Sequence, residues 1–165
     1  MDIKQSWPTL LPDALAEYNK EVTVINGSIS GDTTGNGLSR LPQLLIEHTP
    51  DKVLIELGAN DGLRGFPPKV IEQNLAKIIE QVRASGAEPI MMQIRIPPNY
   101  GKRYNQQFEY VFTSLSDQQK VPLLPFFLEH IILKPEWMMN DGLHPKPEAQ
   151  PWIADFVAEK LYQYL

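Results

Sequence analysis

Four short runs of β-branched and apolar residues, separated by longer stretches with helical spacing, limit what this chain can fold into. The runs are Val22–Ile25, Val53–Leu57, Pro89–Ile94 and Val121–Leu124, each of strand length and suited to a pleated, buried surface. Between them Leu38, Leu41, Leu44 and Leu45, then Val70, Ile71, Leu75, Ile78, Ile79 and Val82, recur at helical steps. Ile153, Phe156, Val157 and Leu161 repeat the stripe near the C-terminus. Strands alternating with amphipathic helices predict a parallel sheet covered on both faces and joined by right-handed crossovers, a three-layer α/β/α sandwich. A length of 165 residues predicts one domain spanning 1–165.

The order of elements is unusual at its start. A helical stretch from Trp7 to Tyr18 opens the chain with no strand before it. In the common doubly wound order the first strand lies inside the sheet, between the second and third. The expected fold therefore begins one strand late, and the inner edges on either side of that strand need a partner. The vacancy is expected to be filled either by these strands closing up or by a segment of another chain, with a homodimer as the favoured route.

Charge and cysteine usage exclude several function classes. Fifteen Lys and Arg against twenty Asp and Glu give a net charge of −5, a field that repels polyanions and argues against nucleic acid as a partner. Without cysteine there is no disulfide, thiolate metal site or thiol nucleophile. The first residues carry no apolar signal region, and no apolar run approaches a membrane span, so neither an export signal nor a stable membrane anchor is expected in this chain.

In open α/β sheets chemistry collects beyond the carboxyl ends of the strands. There the sequence reads Asn26-Gly27-Ser28-Ile29-Ser30-Gly31-Asp32-Thr33-Thr34-Gly35 after the first run and Gly58-Ala59-Asn60-Asp61-Gly62 after the second, with Asn140-Asp141-Gly142-Leu143-His144-Pro145 ahead of the last helix. Each alone is equally well ordinary turn chemistry. Together they hold the parts of an acyl-transfer site. Asp141 can turn back across Gly142 to hold one nitrogen of His144 while the other serves as general base. Gly31 can offer a backbone N–H and Asn60 a side-chain amide to an oxyanion.

These residues carry a family resemblance. Ser30-Gly31-Asp32, Gly58-x-Asn60-Asp61 and Asp141-x-x-His144 resemble the second, third and fifth sequence blocks of the SGNH (GDSL) hydrolases. The runs Ser28–Thr33, Glu56–Gly65 and Pro97–Asn105 are similar to their bacterial multifunctional thioesterase, arylesterase and lysophospholipase branch, and the likeness extends from Trp7 onward. The resemblance implies a flavodoxin-like fold and hydrolysis of carboxylic esters and acyl thioesters through a Ser-His-Asp acyl-enzyme. It makes His144 the base, Asp141 its partner, and Gly31 and Asn60 the oxyanion-hole donors. It implies no cofactor, a small acyl ester or thioester as substrate, and the bacterial periplasm as compartment; a metal site of Asp32, Asp61, Asp141 and His144 is the disfavoured reading of the residues, since no His pair stands at helical ligand spacing.

One block of the family is not matched. The nucleophilic serine belongs to a Gly-Asp-Ser-Leu block directly after the first strand, and no such block occurs in this chain. Met1 falls where the family is already entering its first helix, so the expected missing strand and the missing nucleophile are one absence. Either the chain starts at an internal methionine of a longer gene, or it is a naturally shortened member. Thr33 and Ser30 imitate the block superficially, and Ser6 lies near its place, but none has its context. Ser28, Ser39, Ser85, Ser114 and Ser116 follow no glycine elbow. The chain as it stands is accordingly expected to be inactive, with a non-catalytic ligand-binding or assembly protein as the alternative.

The remaining polar and aromatic residues have simpler readings. Arg64, Phe66, Tyr100 and Tyr104 are expected to border the substrate mouth, with the 96–104 loop setting acyl preference by resemblance. His48 reads as a helix C-terminal cation, and His130 as a surface or lining residue. Trp137, Trp152, Phe126 and Phe127 read as packing, the last two with a second use as acyl-pocket lining.

Overall fold

A computed structural model describes residues 2–165, so the reading placed on Met1 lies outside the described residues. The chain divides into two compact units, residues 27–124 and residues 2–26 with 125–165.

The first unit holds the sheet. Helix α2 (Thr34–His48) leads to strand β1 (Lys52–Ile55), short helix α3 (Ala59–Leu63), helix α4 (Pro68–Ala84), strand β2 (Glu88–Met92), helix α5 (Lys102–Gln119) and strand β3 (Leu123–Leu124). The strands form one sheet in the order β1-β2-β3, and both pairings are parallel, with Ile55 opposite Met91 and Met92 opposite Leu124. The central strand shows why its sequence does not alternate. Ile90, Met91 and Met92 are all buried, as expected of a parallel strand covered on both faces. Proline limits β3: Pro122 has no N–H to give the ladder, though its carbonyl still accepts from Met91 N at 2.9 Å.

The helical stripes bury in their central residues, while Val70 at the start of α4 is exposed and Leu38, Leu44, Leu45 and Phe156 are half-buried. Ile71, Leu75, Ile78, Ile79 and Val82 of α4 are at most 2 % exposed, and they share a core with Phe108, Val111, Phe112 and Leu115 of α5. Thr33 opens α2 with a reciprocal cap: its hydroxyl accepts from Asn36 N, and the Asn36 side chain accepts from Thr33 N. His48 ends the same helix, the position expected of a C-terminal cation.

The expectation of a fourth strand needs correction. Val22–Ile25 forms no strand among the described residues. Its residues alternate between half-buried (Val22, Val24) and exposed (Thr23, Ile25), the period of a strand, but β-structure is held by ladder bonds and the segment makes none among the described residues. Strand β1 likewise pairs on one edge only among those residues.

In the second unit, helix α1 (Trp7–Ala16) packs on helix α7 (Gln150–Leu161). Leu11, Ala14 and Leu15 of α1 are buried, as are Ile153, Ala154, Val157, Ala158 and Leu161 of α7. The buried Gln150 side chain accepts the Trp7 N–H at 2.9 Å, one of the N–H groups at the start of α1 that has no acceptor within its own helix. Between Pro125 and α7 lie the short helix α6 (Leu128–Ile131) and two 3-10 turns, Pro135–Trp137 and Pro147–Ala149.

Candidate active site

The loop from Trp137 to Lys146 closes on itself as a narrow hairpin. Met138 and Pro145 bridge antiparallel, Met139 N donates to His144 O at 2.8 Å and Lys146 N to Trp137 O at 2.7 Å. Its tip turns through Gly142 at φ +67°, a conformation that costs glycine nothing and most side chains a good deal. That turn brings Asp141 back under the following residues. Its Oδ1 accepts the N–H groups of Leu143 (2.9 Å) and His144 (3.0 Å), and its Oδ2 lies 2.6 Å from His144 Nδ1. The hydrogen bond expected from the Asp141-x-x-His144 spacing is therefore present.

The His144 side-chain bond, then the two backbone N–H groups, lower the Asp141 pKa to about 2 from an ordinary value of 3.8. At neutral pH the Asp141 carboxylate can only accept, so the Nδ1 that faces it is the donor of this bond. The His144 side chain is 72 % exposed. In acid solution the sign is fixed by the direction of the shift. Because the folded-state pKa is depressed, the pair's contribution is complete above the ordinary carboxylate range and is lost as pH falls through about 2. Carboxyl-carbon NMR should show Asp141 titrating near that value, and His144→Ala should move it back upward.

Asn60 and Gly31 belong to the other unit. Asn60 is the second residue of α3, and its Nδ2 donates to Asp32 O at 3.0 Å. Gly31 immediately precedes Asp32, exposed and at φ +86°. Arg40 of α2 holds the same loop, with Nη2 at 2.8 Å from Asp32 Oδ2 and at 3.0 Å from Gly27 O. The loop carrying Gly31 is thus fastened to both α2 and α3.

Helix α3 sits close to the core because Gly62 lets it. A Cβ there would lie 2.6 Å from Ile96 Cγ2 and 2.8 Å from Phe108 Cε2. Gly62→Ala should destabilise the fold by about 1–3 kcal/mol through overpacking, measured by chemical unfolding; an unchanged midpoint would contradict this.

The expected rim residues gather beside α3. Tyr100 Oη donates to Leu63 O at 2.7 Å and Tyr104 Oη to Phe66 O at 2.6 Å, so the two phenols brace the segment carrying Arg64 and Phe66. Burial, then the Asp61 carboxylate, push the Tyr104 phenol up. Arg64 is exposed and Phe66 half-buried. Phe127 is buried and faces Trp7 and Phe126, and Trp137 meets Trp152, the packing role expected of these four; His130, expected at the surface, is exposed and sets its ring against Trp152 and Phe156.

Several serine and threonine hydroxyls are engaged locally. Thr33 Oγ1 donates to Asn36 Oδ1, Ser6 Oγ to Ile3 O, Ser39 Oγ to Gly35 O, Ser85 Oγ to Val82 O and Ser116 Oγ to Val121 O. What sequence reasoning misses is the bracing itself. Arg40 and Thr34 lie on α2 at positions where helix periodicity reports only burial, and Asp61 reads merely as part of a motif.

Comparison with known proteins agrees with these observations. Residues 2–150 match the GDSL-like lipase/acylhydrolase family. The chain is 70 % identical to an arylesterase of Vibrio mimicus, over all of this chain and 82 % of that protein. It is 52 % identical to thioesterase 1/protease 1/lysophospholipase L1 of Escherichia coli, over 98 % of this chain and 76 % of that one. Among solved structures, the psychrotrophic esterase EstA of Pseudoalteromonas, inhibited by monoethylphosphonate, superposes with a TM-score of 0.95 at 41 % identity, covering 99 % of this chain and 90 % of its own. Fold class and sequence blocks thus lead to one conclusion: the chain is an α/β protein of the GDSL-like lipase/acylhydrolase family, whose close relatives are esterases and thioesterases.

Proposed function

We propose that this chain is the scaffold of an SGNH-type hydrolase acting on small carboxylic esters and acyl thioesters, with His144 as general base, Asp141 as its orienting partner, and Gly31 and Asn60 as oxyanion donors. The observation that carries the reading is the Asp141–His144 pair, a carboxylate held ionised by three hydrogen bonds, one of them to Nδ1, so that Nε2 is the ring nitrogen not engaged by Asp141. The residues named need no cofactor for this chemistry: the base takes a proton from a hydroxyl nucleophile, the nucleophile attacks the acyl carbon, and the donors meet the negative charge that forms on the acyl oxygen.

The nucleophile in this reading is the serine of a Gly-Asp-Ser-Leu turn, and no residue of this chain takes its place. Turnover of a short-chain aryl ester and of an acyl-CoA tests the proposal, comparing the chain with a version preceded by a strand bearing that turn. Hydrolysis only by the second version supports it. Ester binding without hydrolysis by either would favour a ligand-binding protein that keeps the fold.

Compartment and assembly complete the proposal. The periplasm is proposed as compartment on family resemblance; no helix among the described residues is long and apolar enough to cross a membrane. A second copy is proposed to close the edge of β1 that has no partner among the described residues, since such an edge is a template for strand addition. Light scattering coupled to size exclusion should then show a dimer, and a well-folded monomer at high concentration would contradict it.

A further inference from the structure

We propose that Asp61 is a positioning residue for the Asn60 side chain, acting through Thr34. The proposal deepens the assignment of Asn60 as an oxyanion donor and rests on it for its functional meaning.

Asp61 and Thr34 are both fully buried. Asp61 Oδ2 accepts the Thr34 backbone N–H at 2.8 Å and Oδ1 accepts the Thr34 hydroxyl at 2.6 Å. Thr34 Oγ1 in turn accepts from Asn74 Nδ2 of α4 at 3.0 Å. Thr34 is the first residue of α2, so its N–H has no acceptor within the helix, and the carboxylate lies at the helix's positive end. One buried side chain therefore joins the starts of α2 and α3, with α4 behind them.

The neighbouring residue makes the second link. Asn60 donates one Nδ2 hydrogen to Asp32 O, two residues before Thr34. The segments 60–61 and 32–34 are thus cross-linked twice, and adjacent side chains supply the two links. With Asp61 fixed on Thr34, the chain at 32–34 is held against α3, which keeps the Asp32 carbonyl within reach of the Asn60 amide. The bond to Asp32 O sets the plane of the amide and so the direction of its second Nδ2 hydrogen. Thr34 presents two donors here, so only a group that accepts at both atoms satisfies them. A carboxylate does, whereas an amide would turn its own N–H groups on one of the two.

The test uses the chain as it exists, labelled with nitrogen-15, and follows the Asn60 side-chain amide by NMR, its signal assigned by its loss in Asn60→Asp. Asp61→Asn and Thr34→Val are expected to speed exchange of those amide hydrogens by on the order of tenfold and to loosen the side chain. Thr34→Ser, which keeps both donors, should leave them as they are. An unchanged Asn60 signal in a folded Asp61→Asn variant whose melting temperature has dropped would overturn the proposal, since the pair would then only hold the fold. Should Asp61→Asn fail to fold, Thr34→Val, which keeps the carboxylate and its backbone bond, decides between the same two outcomes. Neither outcome touches the hydrolase reading, which the turnover comparison decides separately.

Discussion

Preceding this chain with a strand and a Gly-Asp-Ser-Leu turn is expected to raise turnover of a short-chain aryl ester by on the order of 10⁶ over the 165 residues alone. The size follows from how a triad works. Base, orienting carboxylate and nucleophile act as a unit, and without the nucleophile only binding and oxyanion stabilisation remain, which together leave a small residual rate. Of the other parts, Asp141 already holds the His144 ring by Nδ1, and Asn60 is already braced against Asp32. Steady-state kinetics on the two proteins, matched for folding by circular dichroism, checks it. Equal rates would mean that the serine is not the missing part.

His144→Ala in the serine-bearing version should remove nearly all of that gain, again by several orders of magnitude in kcat, with little change in KM. In the proposed mechanism, truncating the ring takes away the proton acceptor that Asp141 orients. Combining it with loss of the serine should cost no more than either alone, because neither residue works without the other. Fully additive losses would argue that His144 acts outside a triad.

Much of this is legible in the residues, for identifiable reasons. The stripe from Ile71 to Val82 announces α4 because helix periodicity is set by burial, and the same burial makes Ile90, Met91 and Met92 a continuous apolar run. Asp141-Gly142-Leu143-His144 is readable because glycine lets the carboxylate turn back on the imidazole and because it stands beside the Gly31 and Asn60 blocks; alone it reads equally as turn chemistry. Val22–Ile25 misleads: β-branched residues mark a segment suited to a sheet, but a strand exists only with a neighbour to bond, and local sequence does not report neighbours. The roles of Tyr100 and Tyr104 are only half visible, since their place beside Phe66 can be inferred from the loop but their donation to backbone carbonyls cannot. Thr34 and Asp61 are hidden for a related reason, their partnership spanning 27 residues of chain.

In the proposed hydrolase these residues supply a base, its partner and the oxyanion donors, but not the nucleophile. Labelling by a serine-directed fluorophosphonate, read by intact mass and peptide mapping, tests that division of parts most directly. No label is expected on this chain, and one label per chain, on the serine of the added turn, is expected once that turn is present. Stoichiometric label on Ser30, or on any other serine of these 165 residues, would contradict it.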